Sequence, residues 1–414
     1  MTLVYFPSGL LGPRSDISRS ILLTAAAVTV AWLSADLILR PKKVEKKLFT
    51  PSPRTTTLPA LSAQDIADLS YPPDALPGGR DVATPYGSIR VYEFGPEDGE
   101  RVLLIHGIST PAVALGDLGR ELVGRGYRVM LFDLFGRGYS DAPSDLVYDS
   151  RLYVTQILLV LASSHVPWIT FHLVGYSLGG GLGVAFARYF PHLLRSLTLI
   201  AGGGLIRSHH VGWRSRLLYN WGILPEFLVR RLVRRRIRPT DGKTKSPGGA
   251  GGTHIASAES KKSLPNGDGD TNGGDGFDNA SISRFRPGVT VASVVRWQID
   301  NHEGFLTAFL SSIRNSPIYA PHEDWKALAM ILDKRRRNEN TQEAGMVAGL
   351  ATGRILMVLG KDDPVVVERE TMEDAKRVLG SEAVEFAGLP GGHELPITAS
   401  SGVVDAMEGF WRRI

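Results

Sequence analysis

The sequence predicts an α/β protein with a mostly parallel, doubly wound sheet and an inserted helical cap. Short continuous apolar runs alternate with helix-like stretches, which is the pattern of strands and helices in such a sheet. A long segment without this alternation then separates the last strands from the others. An apolar segment near the start of the chain adds a predicted N-terminal transmembrane helix.

The composition is that of an ordinary globular protein and excludes several kinds of site. Of the 414 residues, 43% are hydrophobic and 21% are charged, which is enough to bury a full core. The chain has no cysteine, so disulfides, zinc–thiolate sites, iron–sulfur clusters and a cysteine nucleophile are excluded. A net charge of +5 is small for a nucleic-acid-binding protein, and we expect no nucleic-acid partner.

The first 81 residues are predicted to precede the folded domain. Residues 1–19 form a tail, and residues 20–39 form an apolar segment long enough to cross a bilayer as a helix. The Lys and Arg residues that follow predict a single-pass membrane protein whose remaining chain is cytosolic. A signal peptide and a buried helix are the alternatives. Residues 40–81, rich in Pro, Ser and Thr towards their end, are predicted to be a linker.

The sheet is predicted in two parts, residues 82–204 and residues 351–414. A strand at Ser88 to Phe94 alternates as in a hairpin with the residues before it. Continuous apolar runs, typical of strands buried on both faces, occupy residues 102–105, 129–132, 171–174, 197–200 and 355–359. A last strand is expected at residues 383–386. Helix-like stretches occupy residues 115–125, 149–163 and 178–189.

Residues 205–350 are predicted to form a helical cap or lid. Within them, residues 213–238 are aromatic and very basic, residues 239–283 are polar and predicted to be disordered, and residues 289–313 are predicted to be helical. The basic stretch fits an amphipathic helix on an anionic membrane surface. It fits equally a lid helix whose apolar side faces the interior.

A G-x-S-x-G motif places Ser177 between an apolar run and a helix-like stretch. This setting is typical of a sharp strand–turn–helix turn that exposes a nucleophilic serine hydroxyl. Gly175 and Gly179 are small enough for the backbone to follow that turn. The helix that starts at Leu178 directs its N–H groups towards the same point, which favours a developing oxyanion.

Two further motifs follow predicted strands. His106 and Gly107 end the first apolar run, and the N–H of Ile108 is expected to form an oxyanion hole with the N–H of Leu178. His106 is expected to support this turn without titrating during catalysis. Asp133 begins the sequence D-x-x-G-x-G-x-S and is interpreted as a structural carboxylate that organises a glycine-rich turn.

These motifs, in this order, resemble those of the α/β-hydrolase superfamily, in its branch of serine hydrolases with a helical cap. The resemblance covers residues 82–414 apart from the polar insertion and implies the chain order nucleophile, acid, histidine. It places the acid at Asp363, with Asp362 as the alternative, and the histidine at His393 after the last strand. Four other histidines are interpreted as cap or surface residues: His209, His210, His302 and His322.

The resemblance implies a serine hydrolase that uses Ser177, His393 and Asp363 as a triad and needs no metal or other cofactor. A serine at this position disfavours the epoxide hydrolases and dehalogenases of the superfamily, which use aspartate. We expect a small lipophilic acyl substrate, a carboxylic ester such as a monoacylglycerol, and contact with membrane lipid. Thioester, amide or carbon–carbon bond cleavage is the alternative, and a non-catalytic scaffold is a third. The sequence does not predict the oligomeric state.

Overall fold

The computed structural model describes residues 23–31, 47–210, 225–238, 274–319, 323–337 and 349–414. The chain divides into two units, Met1–Lys47 and Leu48–Ile414. In the first unit residues 23–31 are helical with exposed side chains. Within the described ranges, no helix is long and apolar enough to cross a membrane. The rest of the predicted transmembrane segment, residues 20–22 and 32–39, lies outside the described residues.

In the described part of the second unit, eight strands form one sheet. The strands are β2 (Gly79–Thr84), β3 (Gly87–Phe94), β4 (Arg101–Ile105), β5 (Arg128–Phe132), β7 (Phe171–Tyr176), β8 (Leu194–Ile200), β9 (Ile355–Gly360) and β10 (Val384–Leu389). Their order across the sheet is β10-β9-β8-β7-β4-β5-β3-β2. The hairpin strands β2 and β3 run antiparallel at one edge, and the six strands from β10 to β5 are parallel. A separate antiparallel pair joins β1 (Phe49–Thr50) to β6 (Ala142–Pro143).

The helices of this unit are Pro53–Thr56, Ala63–Ala67, Gly116–Gly124, Ser150–Ala162, Leu178–Tyr189, Glu226–Ile237, Gly274–Asn279, Val291–Asn301, Phe305–Asn315, Glu323–Arg336, Glu368–Leu379, Leu395–Thr398 and Ser400–Trp411. Short 3₁₀ turns occupy Leu58–Ala60, Ala112–Leu115, Pro191–Leu193, Ser208–His210 and Ser381–Ala383.

The apolar runs of the sequence form the strands at the centre of the sheet. Every residue of β5, β7 and β9 is buried, as expected for strands covered on both faces. Asp149 starts one of the predicted helices, because its carboxylate accepts the N–H groups of Arg151 and Leu152 at 3.0 and 3.2 Å. The mostly parallel sheet with covering helices is therefore confirmed.

The predicted linker, residues 40–81, is wrong for its part from residue 48 onwards. Leu58, Tyr71 and Leu76 are buried in the hydrophobic core, and the backbone N–H of Ser52 donates to Asp141 at 2.7 Å. Strand β2 also begins three residues before the predicted domain boundary at residue 82. A few well-spaced apolar side chains fix this Pro-rich segment to the core, although the segment has no periodicity of its own.

The predicted disorder of residues 239–283 is wrong for its last ten residues. Phe277 and Ile282 are buried. The Ser283 hydroxyl donates to Asp117 at 2.7 Å, and the N–H of Arg284 donates to the same carboxylate at 2.6 Å. Residues 239–273 lie outside the described residues.

The described part of the basic stretch is the helix Glu226–Ile237, and its apolar side faces the protein. Val229, Val233 and Ile237 recur every fourth residue and are buried. Arg234 and Arg238 each donate to Asp300 of the cap at 3.0 Å. These contacts agree with the lid-helix interpretation of residues 225–238, while residues 213–224 lie outside the described residues.

Candidate active site

Ser177 occupies the turn between β7 and the helix Leu178–Tyr189. Its φ of 53° and ψ of −117° place a non-glycine residue in a sparsely populated backbone region. A Cβ atom at Gly175 would collide with the carbonyl oxygen of Gly179, and one at Gly179 would collide with that of Ile105. The two glycines are therefore required by close backbone approach, which is the reason for the G-x-S-x-G spacing.

The structure brings Ser177, His393 and Asp363 together at the carboxyl ends of parallel strands. His393 Nε2 lies 3.0 Å from Ser177 Oγ, and His393 Nδ1 lies 2.9 Å from Asp363 Oδ2. Both His393 and Asp363 are buried, whereas Asp362 is exposed. The sequence left two aspartates open, and Asp363 is the one that contacts the histidine.

Backbone groups hold Asp363 and His393 in place. The second carboxylate oxygen of Asp363 accepts the N–H groups of Val365 and Val366 at 2.8 and 2.9 Å. The Tyr176 hydroxyl donates to the carbonyl of His393 at 2.7 Å. A carboxylate with both oxygens bound in this way fixes the tautomer and the orientation of its imidazole partner.

His106 orients the peptide that carries the Ile108 N–H. His106 Nε2 accepts the N–H of Leu134 at 2.9 Å, so the ring proton lies on Nδ1, which donates to the carbonyl of Gly107 at 2.7 Å. The Ile108 N–H belongs to the same trans peptide as that carbonyl and points the opposite way. Burial lowers the pKa of His106 to about 3, so the ring stays neutral near pH 7.

Leu178 supplies the second predicted donor. It is the first residue of its helix, so the helix offers no carbonyl one turn earlier to accept its N–H. Ile108, Leu178 and Ser177 line the same pocket. The arrangement is able to place two N–H groups around an oxygen bound next to Ser177.

Two buried side chains that the sequence did not reveal as functional bind the carbonyls of Ile108 and Ser109, in the loop that carries the Ile108 N–H. Arg137 is fully buried and donates through Nε to the carbonyl of Ile108 at 2.8 Å and through Nη2 to Ser312 at 3.1 Å. Gln298 donates to the carbonyl of Ser109 at 2.9 Å. Ser312 and Gln298 belong to cap helices, so the cap contacts the loop that carries Ile108. In the sequence, only the position of Gln298 on an otherwise apolar helix face indicated a polar contact of this kind.

Asp133 has the structural role expected from its motif. It is fully buried and accepts the N–H groups of Ala112 and Tyr139 at 2.8 Å each. Tyr71, from the segment predicted to be a linker, donates to it at 3.1 Å. Burial raises the pKa of Asp133 to about 6, in spite of these donors.

A mostly apolar pocket of about 780 Å³, including its open mouth, lies in front of Ser177. Among the described residues, Phe277 and Ile318 of the cap and Val365 of the core contribute apolar side chains. The ring of Phe277 lies 5.8 Å from that of His393. Thr110 and His210 add polar groups. The pocket therefore suits an apolar molecule with a reactive polar group at Ser177.

Comparison with known proteins agrees with this architecture. A model of the alpha/beta hydrolase fold family matches residues 100–242. A bacterial membrane phospholipase A of known crystal structure superimposes with a TM-score of 0.52 and 16% identity, over 97% of this chain and 100% of that chain. The chain has the α/β-hydrolase fold.

Three curated proteins resemble parts of this chain. Lipase 1 of Psychrobacter immobilis is 33% identical over 119 residues, which are 28% of this chain and 37% of the lipase. The 2-hydroxymuconate semialdehyde hydrolase of Pseudomonas sp. strain CF600 is 28% identical over 158 residues, 37% of this chain and 53% of that enzyme. An uncharacterized protein of Mycobacterium tuberculosis is 32% identical over 142 residues, 33% of this chain and 40% of its own length. The chain thus spans between about two fifths and one half of these relatives.

Proposed function

We propose that this protein is a serine hydrolase that cleaves a carboxylic ester of a small lipophilic substrate. The observation that carries the proposal is the continuous contact from Ser177 Oγ to His393 and from His393 to Asp363, with the serine facing an apolar pocket. Ser177 is the N-cap residue of the helix that follows, and its side chain makes no capping hydrogen bond there. A nucleophile, a base and an orienting acid in this order are what acyl transfer requires.

The reaction proceeds in two halves. Ser177 Oγ attacks the ester carbonyl carbon while its proton passes to His393 Nε2, and the carbonyl electron pair moves to the oxygen held by the N–H groups of Ile108 and Leu178. Collapse of this intermediate breaks the carbon–oxygen bond, and the departing alcohol takes the proton from His393. Water then gives a proton to His393 and attacks the acyl carbon. The second collapse releases the acid and returns the proton to Ser177.

The pocket, together with the proteins that resemble part of this chain, favours a substrate with an apolar acyl group. Lipase 1 and the membrane phospholipase A are named for ester substrates with acyl chains, and the apolar walls here suit such a chain. Carbon–carbon bond cleavage is the second candidate, because a 2-hydroxymuconate semialdehyde hydrolase matches the longest segment among these three relatives.

A substrate panel separates these functions. Purified protein is expected to hydrolyse monoacylglycerols and p-nitrophenyl esters faster than matched thioesters, anilides or vinylogous diketones. Ser177→Ala serves as the blank for each substrate. Faster turnover of a diketone than of any ester would replace the ester assignment by carbon–carbon hydrolysis.

We also propose that residues 20–39 anchor the protein as a single-pass helix with the α/β-hydrolase unit in the cytosol and close to membrane lipid. The apolar length and the basic residues that follow support this, and residues 23–31 are helical. The full chain is expected to stay with membranes after alkaline carbonate extraction. Complete release into the soluble fraction would overturn the anchor.

A further inference from the structure

A group of metal-ligating side chains lies beside the pocket and is not used in the proposed reaction. His209 and His210 share the turn Ser208–His210 of the cap, and Glu370 lies in the first turn of the helix Glu368–Leu379. His210 Nε2 lies 2.7 Å from one oxygen of Glu370, and His209 Nε2 lies 3.7 Å from the other. The ligand atoms of all three residues lie within 4.8 Å of one another.

The chemistry of this group fits a divalent transition cation. Two imidazole nitrogens and one carboxylate oxygen form the mixed nitrogen and oxygen set that Zn²⁺, Co²⁺ and Ni²⁺ accept. Ligand atoms about 2.1 Å from a tetrahedral ion lie about 3.4 Å apart. The two measured separations, 2.7 and 3.7 Å, lie on either side of that spacing. An ion bound here would replace the 2.7 Å contact between His210 and Glu370 by a bond from each of the two residues to the ion.

The group is accessible to solvent and lies close to other charged side chains. His209 has 61% of its side chain exposed, which gives access from solvent, and the other two side chains are half-buried. Arg207 lies close by, with its Nε 3.7 Å from Glu370. It is held by closer contacts of 2.7 Å to Asp374 and 3.0 Å to Glu373. Arg207 therefore keeps two carboxylate partners when Glu370 turns to an ion.

We propose that His209, His210 and Glu370 form a binding site for a divalent cation of the zinc class at the cap wall of the pocket. His210 also lines the pocket in front of Ser177. An ion here joins the turn Ser208–His210 of the cap to the helix Glu368–Leu379, which follows the loop of Asp363. Occupancy therefore fixes one wall of the pocket. The effect on the pocket wall rests on the proposed function, whereas the cation site itself does not.

The test uses full-length protein without a histidine tag, treated with EDTA and then titrated with Zn²⁺ against a chromophoric chelator. One equivalent is expected to bind. His209→Ala and Glu370→Gln are each expected to weaken binding about tenfold or more, because even groups that only orient a metal ligand are worth that much. His165→Ala is the matched control, since His165 is equally exposed at 63% and contacts one carboxylate, Glu97, at 3.1 Å. It should leave the affinity unchanged.

Co²⁺ gives an independent readout of the ligand set. Visible absorption bands of four- or five-coordinate cobalt are expected with the unaltered protein and should be lost in His209→Ala. The Ser177→Ala protein should bind Zn²⁺ and Co²⁺ normally, so failure of the hydrolase assignment does not alter this result. Equal Zn²⁺ affinity in His209→Ala, Glu370→Gln and the unaltered protein would overturn the site, as would the absence of binding at millimolar Zn²⁺.

Discussion

The core wall and the cap wall of the pocket are built in different ways. On the core wall, Ser177, Asp363 and His393 follow the ends of β7, β9 and β10. Hydrogen bonds that involve the backbone hold Asp363 and the loop of His393 in place. On the cap wall, Phe277 and Ile318 supply apolar surface from an insertion between β8 and β9. For the proposed hydrolase, this difference predicts that the core wall sets the rate of the reaction and that the apolar cap wall sets substrate binding. Substitutions on the core wall should therefore lower kcat, and substitutions of apolar residues on the cap wall should mainly raise KM.

The largest effect is expected from the acid on the core wall. Asp363→Asn should lower kcat about 10⁴-fold, because the amide no longer holds the correct tautomer of His393. Asp362→Asn should remain near the activity of the unaltered protein, since Asp362 is exposed. Steady-state ester hydrolysis at pH 7 measures both. Equal losses in the two variants would show that the acid has been misassigned.

The dependence of stability on acid pH compares one buried histidine of the core with one of the cap. Burial lowers the pKa of His106 in the core to about 3 and that of His302 in the cap to about 4. Below about pH 6.5 the unfolded chain protonates these rings and the folded chain does not, so stability falls as the pH falls. Asp133, whose pKa is raised to about 6, keeps a proton that its unfolded form has released, and this opposes the loss.

His106, His302 and Asp133 together should lower the free energy of unfolding by about 1.4 kcal/mol per pH unit between pH 6 and pH 4. Burial also lowers the pKa of His172, which adds to this loss. Denaturant titrations at pH 7, 6, 5 and 4 measure this slope, and His302→Asn should flatten it. A stability that is flat from pH 7 to pH 4, or a slope that His302→Asn does not change, would contradict the pKa assignments.

The hydrogen bond from Gln298 of the cap to the core loop predicts an intermediate effect on kcat. Gln298→Leu removes the bond from the cap to the carbonyl of Ser109 and leaves the N–H of Gly138 without its acceptor at 2.9 Å. We expect kcat to fall about tenfold, less than the 10²–10³-fold loss of a complete oxyanion donor. KM should change little. Asn301→Ala on the same helix, where Asn301 bonds to the carbonyl of Trp297, is the control. A change in KM alone would place Gln298 in substrate binding instead.

The smallest effect is expected from the apolar cap wall. Phe277→Ala should raise KM about fivefold with kcat almost unchanged, because about 1 kcal/mol of apolar contact with the substrate is lost. Phe285→Ala, in which an exposed phenylalanine of the cap is removed, serves as the control. Kinetics on a series of esters with increasing acyl length measure the change. A loss of kcat as large as that of Gln298→Leu would break the distinction between the two walls.

Sequence patterns predicted the strands and the serine turn of the core wall. Continuous apolar runs predicted the strands, because a strand buried on both faces must be apolar at every position. The glycines around Ser177 follow from the close backbone approach at Gly175 and Gly179. The choice between Asp362 and Asp363 needed the structure, since two adjacent carboxylates share the same motif and differ only in which one turns inward.

The cap and the N-terminal segment were harder to predict because distant contacts fix them. Phe277 is a single aromatic residue in a polar run, and its burial depends on the pocket it covers. Tyr71 is held by Asp133, which lies 62 residues further along the chain. Local periodicity contains no information on such partners. Arg137 and Gln298 were missed for the same reason, since their roles depend on the carbonyls of a loop from a different part of the chain.

The central claim is that Ser177 is the nucleophile, and covalent labelling tests it most directly. The full-length protein is incubated with a fluorophosphonate probe, digested and analysed by mass spectrometry. We expect one label per molecule, on the peptide that contains Ser177, with parallel loss of ester hydrolysis and no labelling of Ser177→Ala. Labelling of a different residue, or ester hydrolysis that persists in Ser177→Ala, would contradict it.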